Sequence, residues 1–207
     1  MATSGWPPVP AGTAPARRRG AVLERAILSA ALQQLGEVGW KGLTMEGVAA
    51  GAQTGKAAVY RRWPCKEDLV ADALAAGLPE VEAAPDAGSV REDLLTLCRQ
   101  VRRIMYSAPG AALRAVLYEC NQAQAERFQG VIIGGMVEPT VKLLRDVISR
   151  GVERGEVRPD AVNDFVFDAV PAMMMYRSKV CASEWSDQEL VGMIDQLMIP
   201  LLRPRAD

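Results

Sequence analysis

The chain holds 207 residues, 49% of them hydrophobic and 24% charged, with a formal net charge of -1, which suits one or two globular domains with a substantial core and excludes a disordered or fibrous chain. With no histidine and with four cysteines that lie 22 or more residues apart, zinc sites of the Cys/His type, Ser-His-Asp triads and Cys-His dyads are excluded, and reduced, buried thiols are expected. No apolar run approaches the length of a membrane helix and the N-terminus lacks the apolar stretch of a secretory leader, so we expect a cytoplasmic protein with no membrane partner and no cofactor.

Charge is divided unevenly along the chain. Residues 1–66 hold nine Lys/Arg against three Glu, whereas the remainder holds fifteen Lys/Arg against twenty-two acids. A basic third on an acidic body points to a polyanion-binding module joined to something else. Aromatics are only 5% and β-branched residues form no alternating runs, so the expected fold is all-α.

Residues 1–20 are rich in Pro, Gly and Ala and end in Arg17-Arg18-Arg19; they predict a disordered arm. From Val22 the apolar residues Leu23, Ile27, Ala30, Ala31, Leu35 and Val38 recur at helical spacing, and Gly36 and Gly39 should end that first helix after about sixteen residues. Thr44 is a candidate N-cap for a short second helix with Met45, Val48 and Ala49 inward and Glu46 favourable at its positive end. Residues 52–55 read as a turn, and a third helix should run from Gly55 to Trp63, stopped by Pro64. A fourth helix starts after that proline, with Glu67 and Asp68 in its first turn. The segment "PEVEAAPDAGS" is the expected domain boundary. Beyond it, helical patterns cover roughly 90–106, 110–121, 124–154, 160–182 and 187–203.

A 100° step per residue sorts the third helix into faces. Val59 and Trp63 form its apolar side. Ala57, Ala58 and Arg61 lie opposite, Lys56 and Tyr60 flank one edge, and Arg62 flanks the other. Small residues on the outer face would let the backbone approach base edges, with cations and a hydroxyl beside it for phosphates. Arg61 is placed for bidentate contact with guanine, and Lys56 for a base or a phosphate. A solvated surface helix explains the basic residues alone equally well, but a short helix following another across a tight turn is helix-turn-helix geometry. "GAQTGKA" imitates a phosphate-binding loop, yet it has three residues between its glycines instead of four, Ala57 after Lys56, and no preceding strand.

The stretch from Ile27 to Leu74, with "GLT", "VAA", "GKA", "YRRWP" and "KE" in order, resembles the DNA-binding domain of the TetR family of bacterial transcriptional regulators. The resemblance implies that Thr44, Tyr60 and Lys66 anchor phosphates and that Lys56, Ala57, Ala58 and Arg61 face bases. Arg62 flanks this face, and Gln53, Thr54 and Gly55 form the turn that sets it. The chain departs from the family pattern at Gln53 and Thr54, where Gly and Val are usual, and at Cys65, where Ser is frequent. Residues 21–66 are then the DNA-binding domain, 67–80 a connecting helix, and 89–207 a ligand-binding and dimerisation domain.

That last segment is legible only in outline. "FVFDAVPAMMMYRSKV" supplies Met173, Met174, Tyr176 and Arg177, and with Met105, Tyr106, Tyr118, Phe128 and Met136 it could line an adaptable cavity or simply fill a core. Pro171 should kink its helix. Arg177 and Lys179 are partners for an anion or plain surface charges. The stripe Leu190, Met193, Ile194, Leu197 and Leu201 must be buried, within the subunit or against a second copy. The expected function is a DNA-binding transcriptional regulator, most simply a repressor that binds a palindromic operator in double-stranded DNA as a homodimer and is released by a small-molecule effector; the alternative is a helical protein that sequesters a small molecule without binding DNA.

Overall fold

A first helix that begins at Gly20 is too apolar on one side to stand alone, and the computed structural model, which describes residues 20–181 and 184–205, packs it against three others. Helix α1 spans Gly20–Gly42, broken at Gly39 where φ is +72°. Gly36, expected to end it, instead lies within the helix where it passes α6, with Ala111 and the Ala108 carbonyl as its nearest neighbours. Only at Gly39 does the left-handed backbone, open to glycine without a Cβ penalty, turn the chain so that Trp40 re-enters the core at 3% exposure.

Helices α2 (Met45–Gly51), α3 (Lys56–Tyr60) and α4 (Lys66–Gly77) complete the N-terminal group. The remainder comprises α5 (Val90–Met105), α6 (Ala108–Glu119), α7 (Gln122–Ile132), α8 (Glu138–Glu153), α9 (Asp164–Lys179), α10 (Asp187–Met193) and α11 (Ile199–Leu202). Among the described residues every regular element is helical; the fold is all-α. Local chemistry sets most starts. Ser89, Ser107 and Asn163 each accept a backbone N–H from the first turn they precede, and Asn121 with Gln124 and Ser186 with Glu189 form reciprocal capping boxes. The pattern expected over 160–182 therefore starts at Asp164, after Asn163, and Pro159–Ala161 is a separate 3-10 turn.

Two helices expected to be uniform are not. A π-helical segment, Ile133–Val137, joins α7 to α8, and another, Ile194–Met198, joins α10 to α11. Each widens the turn and resets the inward phase. Leu190, Ile194, Met198 and Leu202 are all at 0% exposure, whereas Leu201 is at 36% and Leu197 is half-buried. The stripe read from the sequence is thus buried within the subunit for Leu190, Met193 and Ile194, and the π segment passes the inward role from Leu197 and Leu201 to Met198 and Leu202.

The hydrophobic interior divides into two clusters. One joins α1 to α4 with Ala112, Leu113 and Val116 of α6 and with Phe128 and Ile132 of α7. The other holds α5 and α8 to α11 together. The helices of the expected DNA-binding domain therefore share their core with α6 and α7 and are not closed at Lys66. Gly110 seats α6 on the end of α5, since a Cβ there would lie 2.1 Å from the Ile104 carbonyl. The second cluster is tied at its edge by Asp93, wholly buried, which accepts from Ala87 N at 2.6 Å and pairs with Arg154 at 3.3 Å. That carboxylate fixes the 79–89 loop to the ends of both α5 and α8.

The turn between α2 and α3 contains Gln53 at φ +55°. A left-handed backbone costs an L-residue with a Cβ about 1–2 kcal/mol, and the side chain is exposed. Gln53→Gly should therefore stabilise the protein by about 0.5–1 kcal/mol once the looser unfolded chain is counted, read as a higher urea midpoint at unchanged slope. A lower midpoint would mean that the Gln53 side chain makes a contact that offsets the strain.

Candidate nucleic-acid interface and apolar cavity

The geometry of α2, turn and α3 is set from beneath. Thr44 takes the predicted N-cap role, its hydroxyl oxygen accepting from Gly47 N at 3.1 Å while its own N–H donates to Gln34 Oε1 at 3.4 Å. Val59 and Trp63 point inward at 0% and 5% exposure, and the Trp63 indole N–H donates to Asp72 of α4 at 2.8 Å. These contacts fix which side of α3 faces out.

The helix is shorter than expected, ending at Tyr60, but i+4 hydrogen bonds run on from Arg61 N to Ala57 O at 3.2 Å and from Trp63 N to Val59 O at 3.0 Å. Arg61 therefore keeps its helical position and is exposed, as are Gln53, Gly55, Lys56, Ala57 and Tyr60. Thr54, Ala58, Arg62 and Lys66 are only half-exposed. Arg62 donates to the Ala58 carbonyl at 3.1 Å. Lys66 donates to the Trp40 carbonyl at 3.0 Å with its ammonium 4.3 Å from the centre of that indole, an arrangement that a phosphate would have to compete with. Cys65, at the N-cap of α4, makes no capping bond. Its thiol donates to Asp68 at 3.1 Å, and Asp68 also pairs with Arg127 of α7. The thiol hydrogen bond, with the Arg127 guanidinium beside it, holds the Asp68 carboxyl below the usual carboxylate range.

One residue of this surface was not singled out by its pattern. Glu46, read only as a helix-start acid, reaches across the turn: its Oε1 lies 3.2 Å from Lys56 Nζ and accepts from the Tyr60 hydroxyl at 3.4 Å. Its own backbone N–H, then Lys56, hold its carboxyl below the usual range. The pairing joins two helices across a turn, so no periodicity within either helix could disclose it.

The second feature is a cavity of about 90 Å³ among α5, α6, the π segment and α9. Met105, Tyr118, Met136 and Met174, expected there, line it, together with Pro171, through which α9 continues. Val101, Leu113, Leu117, Ile132, Val137, Val170 and Met175 line it as well, and their apolar character did not distinguish cavity from core; Arg114 and Thr140 also reach the wall. Met175, at 47% exposure, stands at its outer edge. The polar groups on its wall are engaged: Tyr118 donates to Ser178 at 2.9 Å, Thr140 to the Met136 carbonyl at 2.7 Å, and Arg114 to the Met105 carbonyl while lying 5.1 Å over Tyr106. What remains for a ligand is apolar contact.

Five residues expected to line the cavity lie elsewhere. Phe128 is wholly buried against Trp40, ring centres 5.3 Å apart and edge-on. Tyr106 accepts from Trp185 N at 3.0 Å. Arg177 pairs with Glu189 and covers Trp185 at 5.3 Å. Met173 lines a surface groove beside α10, and Tyr176 is 56% exposed. Helical spacing placed them on α5, α7 and α9 without fixing how those helices are rotated.

Comparison with known proteins gives concordant matches. Residues 27–73 match the family described as bacterial regulatory proteins of the tetR family, and residues 84–197 match the tetracyclin repressor-like C-terminal domain. An uncharacterised HTH-type transcriptional regulator of Mycobacterium tuberculosis is 32% identical over 183 residues, 86% of this chain and 87% of that protein. The DNA-binding transcriptional repressor TetR of Mycobacteroides abscessus is 28% identical, over 91% of this chain and 98% of its own. A crystal structure of a TetR-family regulator from Mesorhizobium loti superposes with a TM-score of 0.67 at 17% identity, covering 91% of this chain and all of the other.

The cysteines offer a test of the packing. Burial pushes the Cys98 thiol up to about 12 and the Cys120 thiol up to about 11, whereas Cys181 is exposed. Because the thiolate reacts and forms only as pH rises through those values, iodoacetamide at about pH 8 should label Cys181 first and Cys98 last, with Cys120 gaining reactivity before Cys98 as pH climbs. Peptide mass spectrometry that found Cys98 labelled as fast as Cys181 would contradict the second core.

Proposed function

This chain belongs to the TetR family of helix-turn-helix transcriptional regulators, and from that footing we propose that it is a repressor that binds a palindromic operator as a homodimer and leaves it when a small molecule occupies the apolar cavity. The observation that carries the reading is the fixed orientation of α3. Val59 and Trp63 are buried while Lys56, Ala57, Tyr60 and Arg61 stand outward, as a helix entering a major groove requires. In this reading Thr44 and Tyr60 meet phosphates, Lys66 joins them by exchanging the Trp40 carbonyl for a phosphate, Arg62 supports the face, and Arg61 reads a base. Gln53, Thr54 and Gly55 set the angle between the two helices.

A second copy is supported by α9. Phe165, Tyr176 and Val180 are exposed at 89%, 56% and 63%, and with exposed Ala172 they form an apolar stripe at helical spacing that water would otherwise solvate. Two reading heads related by a two-fold axis would meet half-sites about one DNA turn apart or a multiple of it.

The effector implied by the cavity is a molecule whose buried part is neutral and apolar, because apolar side chains make up most of the wall and Arg114, its charged residue, is turned to the Met105 carbonyl. Coupling to the reading head runs through α4 and its neighbour α7. Ile132 of α7 lines the cavity, and Phe128, one turn earlier, packs on Trp40, whose carbonyl holds the first residue of α4. A ligand that favours a shifted α7 shifts the population of reading-head positions by its differential affinity for the two states.

The experiment is binding of the purified protein to its own upstream DNA, followed by fluorescence anisotropy across a salt series. Affinity should fall steeply with salt. Arg61→Ala should lose about 1–3 kcal/mol and relax base preference at one position of each half-site. If Arg61→Ala and Tyr60→Ala leave DNA affinity unchanged, the reading fails and sequestration of a small molecule takes its place.

A further inference from the structure

The DNA-facing surface just described carries an acid that bridges its two helices. Glu46 in the first turn of α2 bridges to α3, with Lys56 Nζ at 3.2 Å and the Tyr60 hydroxyl at 3.4 Å from the same oxygen. The two charged side chains are 65% and 47% exposed, so the pair adds little to stability. Its position is what matters: it neutralises the cation nearest the start of the reading helix and ties up the hydroxyl beside it, while presenting a negative charge to an incoming phosphate backbone.

Resting on the DNA-binding reading of the previous subsection, we infer that Glu46 is a specificity-determining residue that suppresses binding to DNA of arbitrary sequence. Sequence-independent affinity comes almost wholly from cations meeting phosphates. With Glu46 in place, Lys56 is withheld from that pool, and the carboxylate itself repels the backbone. On a matched sequence the cost is recovered in two ways. The bridge holds Lys56 and Tyr60 in one geometry before binding, which reduces the ordering that the complex requires. The carboxylate oxygens can also accept from an exocyclic amine, such as cytosine N4, that a random sequence does not offer at that point. The acid thus lowers the non-specific affinity and leaves affinity for the matched sequence little changed.

The test compares wild type, Glu46→Gln and Glu46→Asp on two duplexes, one of random sequence and one selected by the wild-type protein from a random pool. Gln keeps the length and the acceptor oxygen but removes the charge; Asp keeps the charge and loses the reach. On random DNA Glu46→Gln should bind about threefold to tenfold more tightly, and its plot of log affinity against log salt should steepen by about one, as expected for one added phosphate contact. Its ratio of selected to random affinity should fall by about the same threefold to tenfold. Glu46→Asp should stay closer to wild type on random DNA and lose affinity on the selected duplex. If Glu46→Gln changes both duplexes by the same factor, or neither, the assignment is overturned while DNA binding stands. If the wild-type protein itself shows no salt-dependent binding to either duplex, the DNA-binding reading falls and the role of Glu46 falls with it.

Discussion

The burial of one indole, Trp40, organises both halves of the molecule. Its ring meets Phe128 of α7 edge-on at 5.3 Å, carries the Lys66 ammonium at 4.3 Å, and its carbonyl accepts from the same ammonium at 3.0 Å. An aromatic pair in a dry core contributes beyond the area it buries, and a half-buried cation over indole is favourable because little water remains to compete. Three elements remote in sequence, the end of α1, the start of α4 and the middle of α7, are held at one point. Gly39 makes this possible, since its left-handed backbone redirects the chain so that the next side chain points back into the core.

From that junction the reading head inherits its orientation. Five residues, Arg61 to Cys65, join α3 to the start of α4, so fixing Lys66 constrains the exit of α3, and the Trp63 indole bonded to Asp72 constrains it again further along α4. Asp68, shared between the Cys65 thiol and Arg127, adds a third tie from α7. Basic residues that look like one patch in sequence are thereby put to different uses. Arg61 is free at the surface, Lys56 is paired to Glu46, Arg62 turns to the Ala58 carbonyl, and Lys66 is drawn onto Trp40. Electrostatic footprint and base-reading geometry are separate properties of such a surface, and the bonded partners of each cation decide which it serves.

In the C-terminal half the two π segments have a similar organising role. Each inserts a wide turn into a helix whose apolar pattern would otherwise drift off the core. At Ile194–Met198 the consequence is burial of Met198 and Leu202. At Ile133–Val137 the widened turn carries Met136 and Val137 onto the cavity wall, next to Ile132 of α7. Since Ile132 and Phe128 are one turn apart on α7, the cavity and the Trp40 junction share an element, and a volume change in one has a short mechanical route to the other.

The all-α fold, the breaks at Gly39 and Ser186, the Thr44 cap and the inward sides of α2 and α3 were legible in the sequence, as was that of α1 except at Val38, which is 50% exposed. Each is local: a cap, a glycine with positive φ or an apolar period needs only neighbours within a few residues to have its effect. The resemblance of Ile27 to Leu74 to a known family was legible for the same reason. What only the tertiary structure decided depends on how rigid helices are rotated and stacked against one another, and helical periodicity carries no information about that. It placed Phe128 on Trp40 and not in the cavity, drew Lys66 inward, gave the 21–66 segment a core shared with α6 and α7, moved the inward stripe of the last helix from Leu197 to Met198, and brought Glu46 to Lys56 across a turn. The sequence by itself determined the parts and their faces; packing chose their partners, because a partner is a property of two surfaces and each helix encodes only its own.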